Sequence, residues 1–220
     1  MPLLDGPRLA PASGGAARKL VVLLHGYGAY GDDLVPLAEA FADALPDVAF
    51  LSPHAPFPCG GAPFGREWFP LSFRDPSEFS RGADAARPML ESFLAAELES
   101  LGLGPGDLAL VGFSQGAMMA LHTGLRRPAA PAVIIGYSGL LPAAERLDME
   151  MVRPPPQVVL IHGEDDEVVP APYSQIAAEA LSLAGARVDS HMRPGLGHGV
   201  DAEGAAIGLA SLAHAFARGR

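Results

Sequence analysis

Leu108–Leu125 reads LALVGFSQGAMMALHTGL, and this segment indicates the architecture of the chain more clearly than any other. A mostly apolar run, typical of a buried strand, leads into Gly112-Phe113-Ser114-Gln115-Gly116, and a helical pattern follows. This is G-x-S-x-G in its required setting of strand, sharp turn and helix. The glycines permit a strained turn that exposes the serine Oγ, and the helix directs its positive end at the site. The alternative is a serine that only caps the helix.

Strand patterns alternate with helical patterns along the whole chain. We predict strands at Leu20–Leu24, Val48–Ser52, Asp107–Phe113, Ala132–Ser138, Gln157–His162 and Arg187–Met192. We predict helices at Asp33–Ala44, Ala83–Leu103, Gln115–Arg126, Ala171–Ala184 and Ala202–Ala217. Such alternation predicts an α/β protein with a mostly parallel sheet and helices on both faces. Because no Gly/Ser-rich linker interrupts the pattern, residues 1–220 are expected to form a single domain.

Composition excludes several classes of function. The 220 residues are 49% hydrophobic and 18% charged, with a formal charge of −10, which suits a folded core. No basic block is longer than Arg126-Arg127, which argues against nucleic-acid or anionic-membrane partners. The single cysteine, Cys59, forms no internal disulfide. We find neither a secretory signal pattern nor an apolar run near ~20 residues, and we therefore expect a cytoplasmic protein without stable membrane insertion.

One irregular segment breaks the alternation. Pro53–Arg81 contains six prolines, five phenylalanines and the only tryptophan, Trp68. Long irregular segments in compact domains are often functional loops. A rigid connection that packs Trp68 and Phe69 against the core explains the same composition equally well.

A nucleophilic serine needs a histidine base, and His198 is the best placed of the seven histidines. It lies in GLGHGV after the last predicted strand, where catalytic groups collect in an open α/β sheet. His122 and His214 fall inside helical patterns, where packing or exposure to solvent explains them better. His25 ends the first strand and is interpreted as structural support, and His191 lies within the last strand pattern.

The orienting carboxylate comes from the acidic loop in VVLIHGEDDEVVP, which also follows a strand. Asp165 and Asp166 are both candidates. The chain order Ser, Asp, His is that of the α/β-hydrolases and differs from the two main protease orders. A solvated turn or a metal site would also explain the acidic residues. His162 is the nearest histidine, but no metal-ligand spacing accompanies it, so we expect no bound metal.

The glycine-rich turn in Leu20–Leu34, LVVLLHGYGAYGDDL, matches the dinucleotide-binding pattern G-x-G-x-x-G. A dinucleotide site also needs an acidic residue near the end of the second strand, but that strand ends in Ser52-Pro53-His54. Acyl transfer instead needs two backbone N–H groups that face an oxyanion. Gln115, next to the serine, supplies one, and the HGYG turn is in the right place for the other. We therefore interpret the turn as an oxyanion loop.

Six motifs in order, LLHGYGAYGDDL, SPHAPFPC, GREWFPL, GFSQGAMMA, HGEDDEVVP and GLGHGV, make the chain resemble the phospholipase/carboxylesterase family of α/β-hydrolases. That family includes the acyl-protein thioesterases, and the SPHAPFPC and GREWF segments are similar to its short bacterial esterase branch. The resemblance covers the chain from about Lys19 onward. It implies Ser114 as nucleophile, Asp166 as the catalytic aspartate with Asp165 as fallback, and His198 as general acid–base.

The resemblance further implies that the backbone N–H groups of Tyr27 and Gln115 hold the oxyanion. It suggests Trp68 and Val168 as neighbours of the acyl pocket, although simple packing explains both equally well. It is compatible with a homodimer, and it implies no cofactor.

We therefore expect a serine carboxylesterase with an open site, without a large cap domain, that hydrolyses short- to medium-chain esters of small molecules. The alternatives are an acyl-protein thioesterase or lysophospholipase with the same triad, and a catalytically silent ligand-binding protein of the same fold.

Overall fold

The computed structural model describes residues 4–72 and 74–218. Its central sheet has seven strands in the order β1-β3-β2-β6-β7-β8-β9, and a separate hairpin pairs β4 with β5. Only β1 is antiparallel to its neighbour within the seven-stranded sheet. The strands are β1 Arg8–Leu9, β2 Lys19–Leu24, β3 Val48–Leu51, β4 Phe57–Pro58, β5 Arg66–Glu67, β6 Leu108–Phe113, β7 Val133–Tyr137, β8 Gln157–Gly163 and β9 Arg187–Arg193.

Helices cover both faces of this sheet. They are α1 Val35–Ala42, α2 Ser77–Leu101, α3 Gln115–Gly124, α4 Leu147–Glu150, α5 Pro172–Leu183 and α6 Ala202–Arg218. Three short 3-10 turns also occur, at Gly31–Leu34, Pro105–Asp107 and Ala144–Arg146.

The alternation of side chains along β2 explains the two layers of core. Leu20, Val22 and Leu24 join a cluster that contains apolar residues of α2, α3 and α5. Val21 and Leu23 point to the opposite face and join residues of α1 and α6. Because every second residue of a strand faces the same way, an all-apolar strand is stable only when both faces are covered. The predicted parallel α/β architecture with helices on both faces is confirmed.

All six predicted strands are present. Each observed strand end lies within one residue of the predicted end. The short strands β1, β4 and β5 were not predicted, because two-residue strands carry almost no pattern. Helix α1 is shorter than the predicted Asp33–Ala44 because its first turn is a 3-10 turn.

Helix α2 begins at Ser77, six residues before the predicted start at Ala83, and runs through Pro88. Asp75 lies just before this start, and its Oδ1 accepts a hydrogen bond from the Ser77 backbone N–H at 2.9 Å, which satisfies a donor of the first turn. The irregular segment Pro53–Arg81 is therefore shorter than predicted.

Among the described residues of that segment, the hairpin of β4 and β5 is the only regular structure before α2, and no helical cap is inserted there. In residues 4–72 and 74–218, no helix combines the length and apolar character needed to cross a bilayer.

Candidate active site

Ser114 occupies a sharp turn between β6 and α3. Its φ of 54° and ψ of −118° place it in a region that residues with a side chain rarely adopt. Its N–H donates to the Tyr137 carbonyl at 2.9 Å, which extends the β6–β7 pairing, and its carbonyl accepts the first helical bond from Met118 at 3.1 Å. A strained serine held from both sides in this way is what the G-x-S-x-G pattern predicts.

Gly116 allows this turn to sit against the end of β2. A Cβ atom added at Gly116 would lie 1.8 Å from the carbonyl oxygen of Leu24. No side chain fits at that distance from backbone, so any substitution would push the serine turn away from the oxyanion loop that follows β2.

Asp166 and His198 lie on neighbouring loops after β8 and β9 and contact each other. The distance from His198 Nδ1 to Asp166 Oδ2 is 2.8 Å. Since the carboxylate accepts a hydrogen bond from Nδ1–H, the neutral ring keeps the lone pair of Nε2 available as a base. Asp165 is exposed, and its backbone N–H bonds to Leu196.

The Asp166 carboxylate is fully buried but well satisfied. Its Oδ1 accepts hydrogen bonds from the backbone N–H groups of Val168 and Val169, both at 2.9 Å. Burial raises the pKa of Asp166, but the hydrogen bonds from His198, Val169 and Val168 outweigh burial and hold the pKa below its ordinary value. His162 supports this turn, because its Nε2 donates to the Val169 carbonyl at 2.7 Å and lies 3.3 Å from Asp166 Oδ2.

Tyr27 and Gln115 line the same cavity as Ser114 and His198. Gln115 is the first residue of α3, so its backbone N–H has no acceptor within that helix. At least one glycine of the predicted oxyanion loop is required by packing, because a Cβ atom at Gly31 would lie 1.9 Å from the Ser52 carbonyl oxygen.

The cavity in front of Ser114 has a volume of about 390 Å³ and a mainly apolar lining. Its lining residues are Gly26, Tyr27, Ala29, Leu71, Phe79, Phe113, Ser114, Gln115, Met118, Leu140, Val168, Val169, Pro170, Tyr173 and His198. Phe113 also packs on the His198 ring, with 4.8 Å between centroids. The apolar lining from α2, α3 and the loop after β7 was not predicted, because nothing in a single sequence places those elements beside the serine.

Val168 lies at the mouth of this cavity with 66% of its surface exposed. Trp68 lies outside the lining and is 1% exposed. Its Nε1–H donates to the His25 carbonyl at 2.9 Å, and its ring packs on the His25 ring. The predicted roles of both residues as acyl-pocket neighbours stay predictions, and the position of Trp68 favours support of the oxyanion loop.

The side chain of Gln115 has a role that the sequence analysis did not predict. Its Oε1 accepts from the Trp68 backbone N–H at 2.9 Å, and its Nε2 donates to the Phe69 carbonyl at 2.7 Å. Nearby, Arg66 pairs with the oxyanion loop: its carbonyl accepts from Gly28 at 2.9 Å and its N–H donates to Ala29 at 3.1 Å. The irregular segment therefore braces both predicted oxyanion donors.

His25 provides structural support, as predicted. Its Nδ1 donates to the Gly26 carbonyl at 2.8 Å, and its Nε2 accepts from the Ala55 N–H at 2.9 Å. Burial lowers the pKa of His25 to about 4, so the ring stays neutral and can accept that bond. Within the described ranges, no group of three His, Cys, Asp or Glu side chains is arranged to hold a metal ion.

These features define the class of the protein. A strained serine between a parallel strand and a helix, followed in the chain by an aspartate–histidine pair on later strand ends, is characteristic of an α/β-hydrolase. The chain belongs to the phospholipase/carboxylesterase family, since a model of that family matches residues 10–212.

Relatives and solved structures agree with this assignment. The chain is 30% identical over 188 residues to the esterase YpfH of Escherichia coli, covering 84% of this chain and 78% of that protein. It is 31% identical over 169 residues to acyl-protein thioesterase 1 of Schizosaccharomyces pombe, covering 73% and 74% respectively. The crystal structure of esterase PE8 superposes with a TM-score of 0.92 at 48% identity, covering 96% of this chain and 99% of that one. The expectation of a carboxylic ester hydrolase is confirmed at the level of the family.

Proposed function

We propose that the protein is a serine carboxylesterase that hydrolyses short- to medium-chain esters of small molecules through an acyl-enzyme. The observation that carries this proposal is the meeting of Ser114, His198, Tyr27 and Gln115 in one cavity, with Asp166 behind His198 at 2.8 Å.

In the first half-reaction, Ser114 Oγ attacks the ester carbonyl carbon while His198 Nε2 accepts the hydroxyl proton. The carbonyl oxygen gains the negative charge, and the backbone N–H groups of Tyr27 and Gln115 stabilise it. Asp166 stabilises the imidazolium ring. The C–O bond to the alcohol then breaks, and His198 donates its proton to the departing oxygen.

In the second half-reaction, His198 removes a proton from water as the water oxygen attacks the acyl carbon. The bond to Ser114 Oγ then breaks, Oγ recovers the proton from His198, and the carboxylic acid leaves. No other reactant is needed. Loss of one oxyanion donor typically costs ~2.7–4 kcal/mol, so the loop that holds Tyr27 contributes substantially to the rate beside the catalytic side chains.

A second candidate function is hydrolysis of long-chain thioesters or lysophospholipids by the same groups. A further hollow of about 220 Å³ adjoins the Ser114 cavity and shares Phe79, Leu140 and Tyr173 with it. The second hollow is the neighbouring space into which this candidate function would extend a long acyl chain, and the Schizosaccharomyces pombe relative is named a thioesterase. A homodimer stays a prediction.

Hydrolysis of p-nitrophenyl esters from acetate to palmitate by the wild type and by Ser114→Ala tests the proposal. We expect a maximum on short or medium chains and loss of turnover in the variant. A maximum on palmitate would favour the second candidate, and full activity of Ser114→Ala would exclude both.

A further inference from the structure

A second apolar groove, with a volume of about 460 Å³, lies beside the Ser114 cavity, between α1 and the start of α6. Leu37 and Ala40 of α1 line one side, and Val200 and Ala205 line the other. The two hollows share Gly26, Ala29 and Phe113, so they adjoin at the oxyanion loop. The mechanism above assigns no role to this groove.

An ester substrate has two limbs, the acyl chain and the alcohol. The chemistry of the reaction determines on which side of the catalytic serine each of them lies. The oxygen of the leaving alcohol must reach His198 Nε2 to receive its proton, because Nδ1 faces Asp166. The His198 ring packs on Phe113, and Phe113 lines both hollows. Val200, two residues after His198, lines the groove. An alcohol that leaves on the His198 side therefore extends naturally over Phe113 into the groove.

We propose that the α1–α6 groove binds the alcohol limb of the substrate, while the Ser114 cavity binds the acyl limb. This inference rests on the proposed esterase function and adds to it a site that selects the leaving group.

The charges at the groove indicate the class of alcohol. Asp33 and Asp201 are its charged lining residues. Asp33 Oδ2 accepts from the Tyr30 N–H at 2.7 Å, and Arg193 Nη2 donates to Asp201 Oδ2 at 3.1 Å. Arg193 also pairs with Glu203, so local negative charge exceeds positive charge. The groove therefore suits apolar, uncharged or cationic alcohols and disfavours alcohols that carry phosphate or sulfonate.

Two ester series separate the two limbs. In the first, butyrate esters of ethanol, butanol, hexanol and octanol share one acyl-enzyme, so the alcohol affects acylation and leaves the deacylation rate unchanged. In the second, ethyl esters from acetate to octanoate share one alcohol. The measured quantity is kcat/KM for each ester, together with the deacylation rate from stopped-flow kinetics.

Ala40→Phe narrows the groove from an exposed helix position, and Leu37→Ala widens it. We expect Ala40→Phe to lower kcat/KM for hexyl butyrate by about tenfold, and to change ethyl butyrate by less than about twofold. Leu37→Ala should shift the preference in the butyrate series toward longer alcohols. Ala95→Phe, at an exposed position of α2, controls for the added aromatic ring.

Leu140→Ala in the acyl cavity is the converse variant, which should alter the preference among acyl chains and leave the relative preference among the alcohols of the butyrate series unchanged. An alcohol profile that neither groove variant changes would overturn the inference. So would a groove variant that shifts the acyl series instead. Absence of Ser114-dependent hydrolysis in both series would mean that the proposed function itself has failed.

The charge preference has its own test. Wild type should hydrolyse butyrylcholine and propyl butyrate faster than 3-sulfopropyl butyrate at low ionic strength, and salt should narrow the difference. Asp33→Asn keeps an acceptor for Tyr30 and should raise the relative rate on the sulfonate ester. Equal rates on all three esters would contradict the assigned class of alcohol.

Discussion

Two histidine–aspartate pairs have nearly the same separation and opposite environments. The His198–Asp166 distance is 2.8 Å, and the His122–Asp84 distance is 3.0 Å. In the first pair the carboxylate is fully buried and the ring reaches a cavity. In the second pair the ring is fully buried, while 42% of the carboxylate side chain is exposed and it also pairs with Arg146.

The His122–Asp84 pair also lacks the hydrogen-bond geometry that a general base requires. Neither ring nitrogen of His122 forms an aligned hydrogen bond within the described part of the chain, despite the short distance to Asp84. Burial, followed by the charge of Arg126, lowers the pKa of His122 to about 4, although Asp84 opposes the shift. A general base needs a buried, satisfied acid partner and an accessible second nitrogen, and proximity of the two residues is insufficient.

The largest contrast is expected from replacing the two histidines. His198→Ala should lower kcat by roughly 10⁴–10⁶-fold, because the serine loses its base. His122→Leu removes two buried nitrogen atoms without aligned partners and should change kcat by less than about threefold. Steady-state hydrolysis of p-nitrophenyl butyrate, with circular dichroism as the folding control, measures both. Equal losses of kcat in the two variants would contradict the conclusion that only His198 acts as the base.

Replacement of the two aspartates should give a difference in kcat that is almost as large. Asp166→Asn keeps the size of the side chain but can present an N–H group to His198, which favours the wrong tautomer, so kcat should fall by about 10⁴-fold. Asp84→Asn should leave kcat within about twofold of wild type, since its carboxylate faces solvent and arginine. The same kinetic assay checks both variants. If Asp165→Asn were the variant that lost activity, the assignment of the acid would be wrong.

The chemistry of this site could be predicted from the sequence because its signals are local. Ser114 stands in a five-residue pattern, Asp166 follows an apolar strand, and His198 follows the last strand pattern of the chain. The supports of the site were not predictable, because they join distant residues: the Gln115 side chain bonds to Trp68 and Phe69, 47 and 46 residues away. The groove between α1 and α6 likewise depends on packing between the two ends of the chain.

The start of α2 shows a different limit. Gly82, which disfavours a helix locally, stands immediately before the predicted start at Ala83. Yet Asp75-Pro76-Ser77-Glu78 contains the capping signal that the structure uses, with Asp75 bonded to Ser77. Tertiary contacts stabilise the extra turns beyond what local propensity predicts.

The smaller prediction concerns stability at acid pH. The folded pKa values of His25 and His122 are about 4, below the ordinary 6.5. As pH falls below 6.5, the unfolded chain binds these protons first, so folding stability present above pH 6.5 is lost progressively down to about pH 4. Each histidine should cost roughly 2 kcal/mol between pH 7 and 5.

Urea unfolding at pH 7 and pH 5 measures this loss. His122→Leu should lose less stability than wild type between the two values, by about the contribution of one histidine. An unchanged difference would show that His122 is protonated in the folded protein and that its environment is wrongly described.

The most direct test of the central claim is covalent labelling with a fluorophosphonate, followed by intact mass and peptide mapping. Ser138 is the matched control: its φ is 49°, it also follows a parallel strand, and it is fully buried. We expect one adduct per chain, at Ser114, that is retained in Ser138→Ala and absent from Ser114→Ala. An adduct at another residue, or undiminished labelling of Ser114→Ala, would contradict Ser114 as the nucleophile.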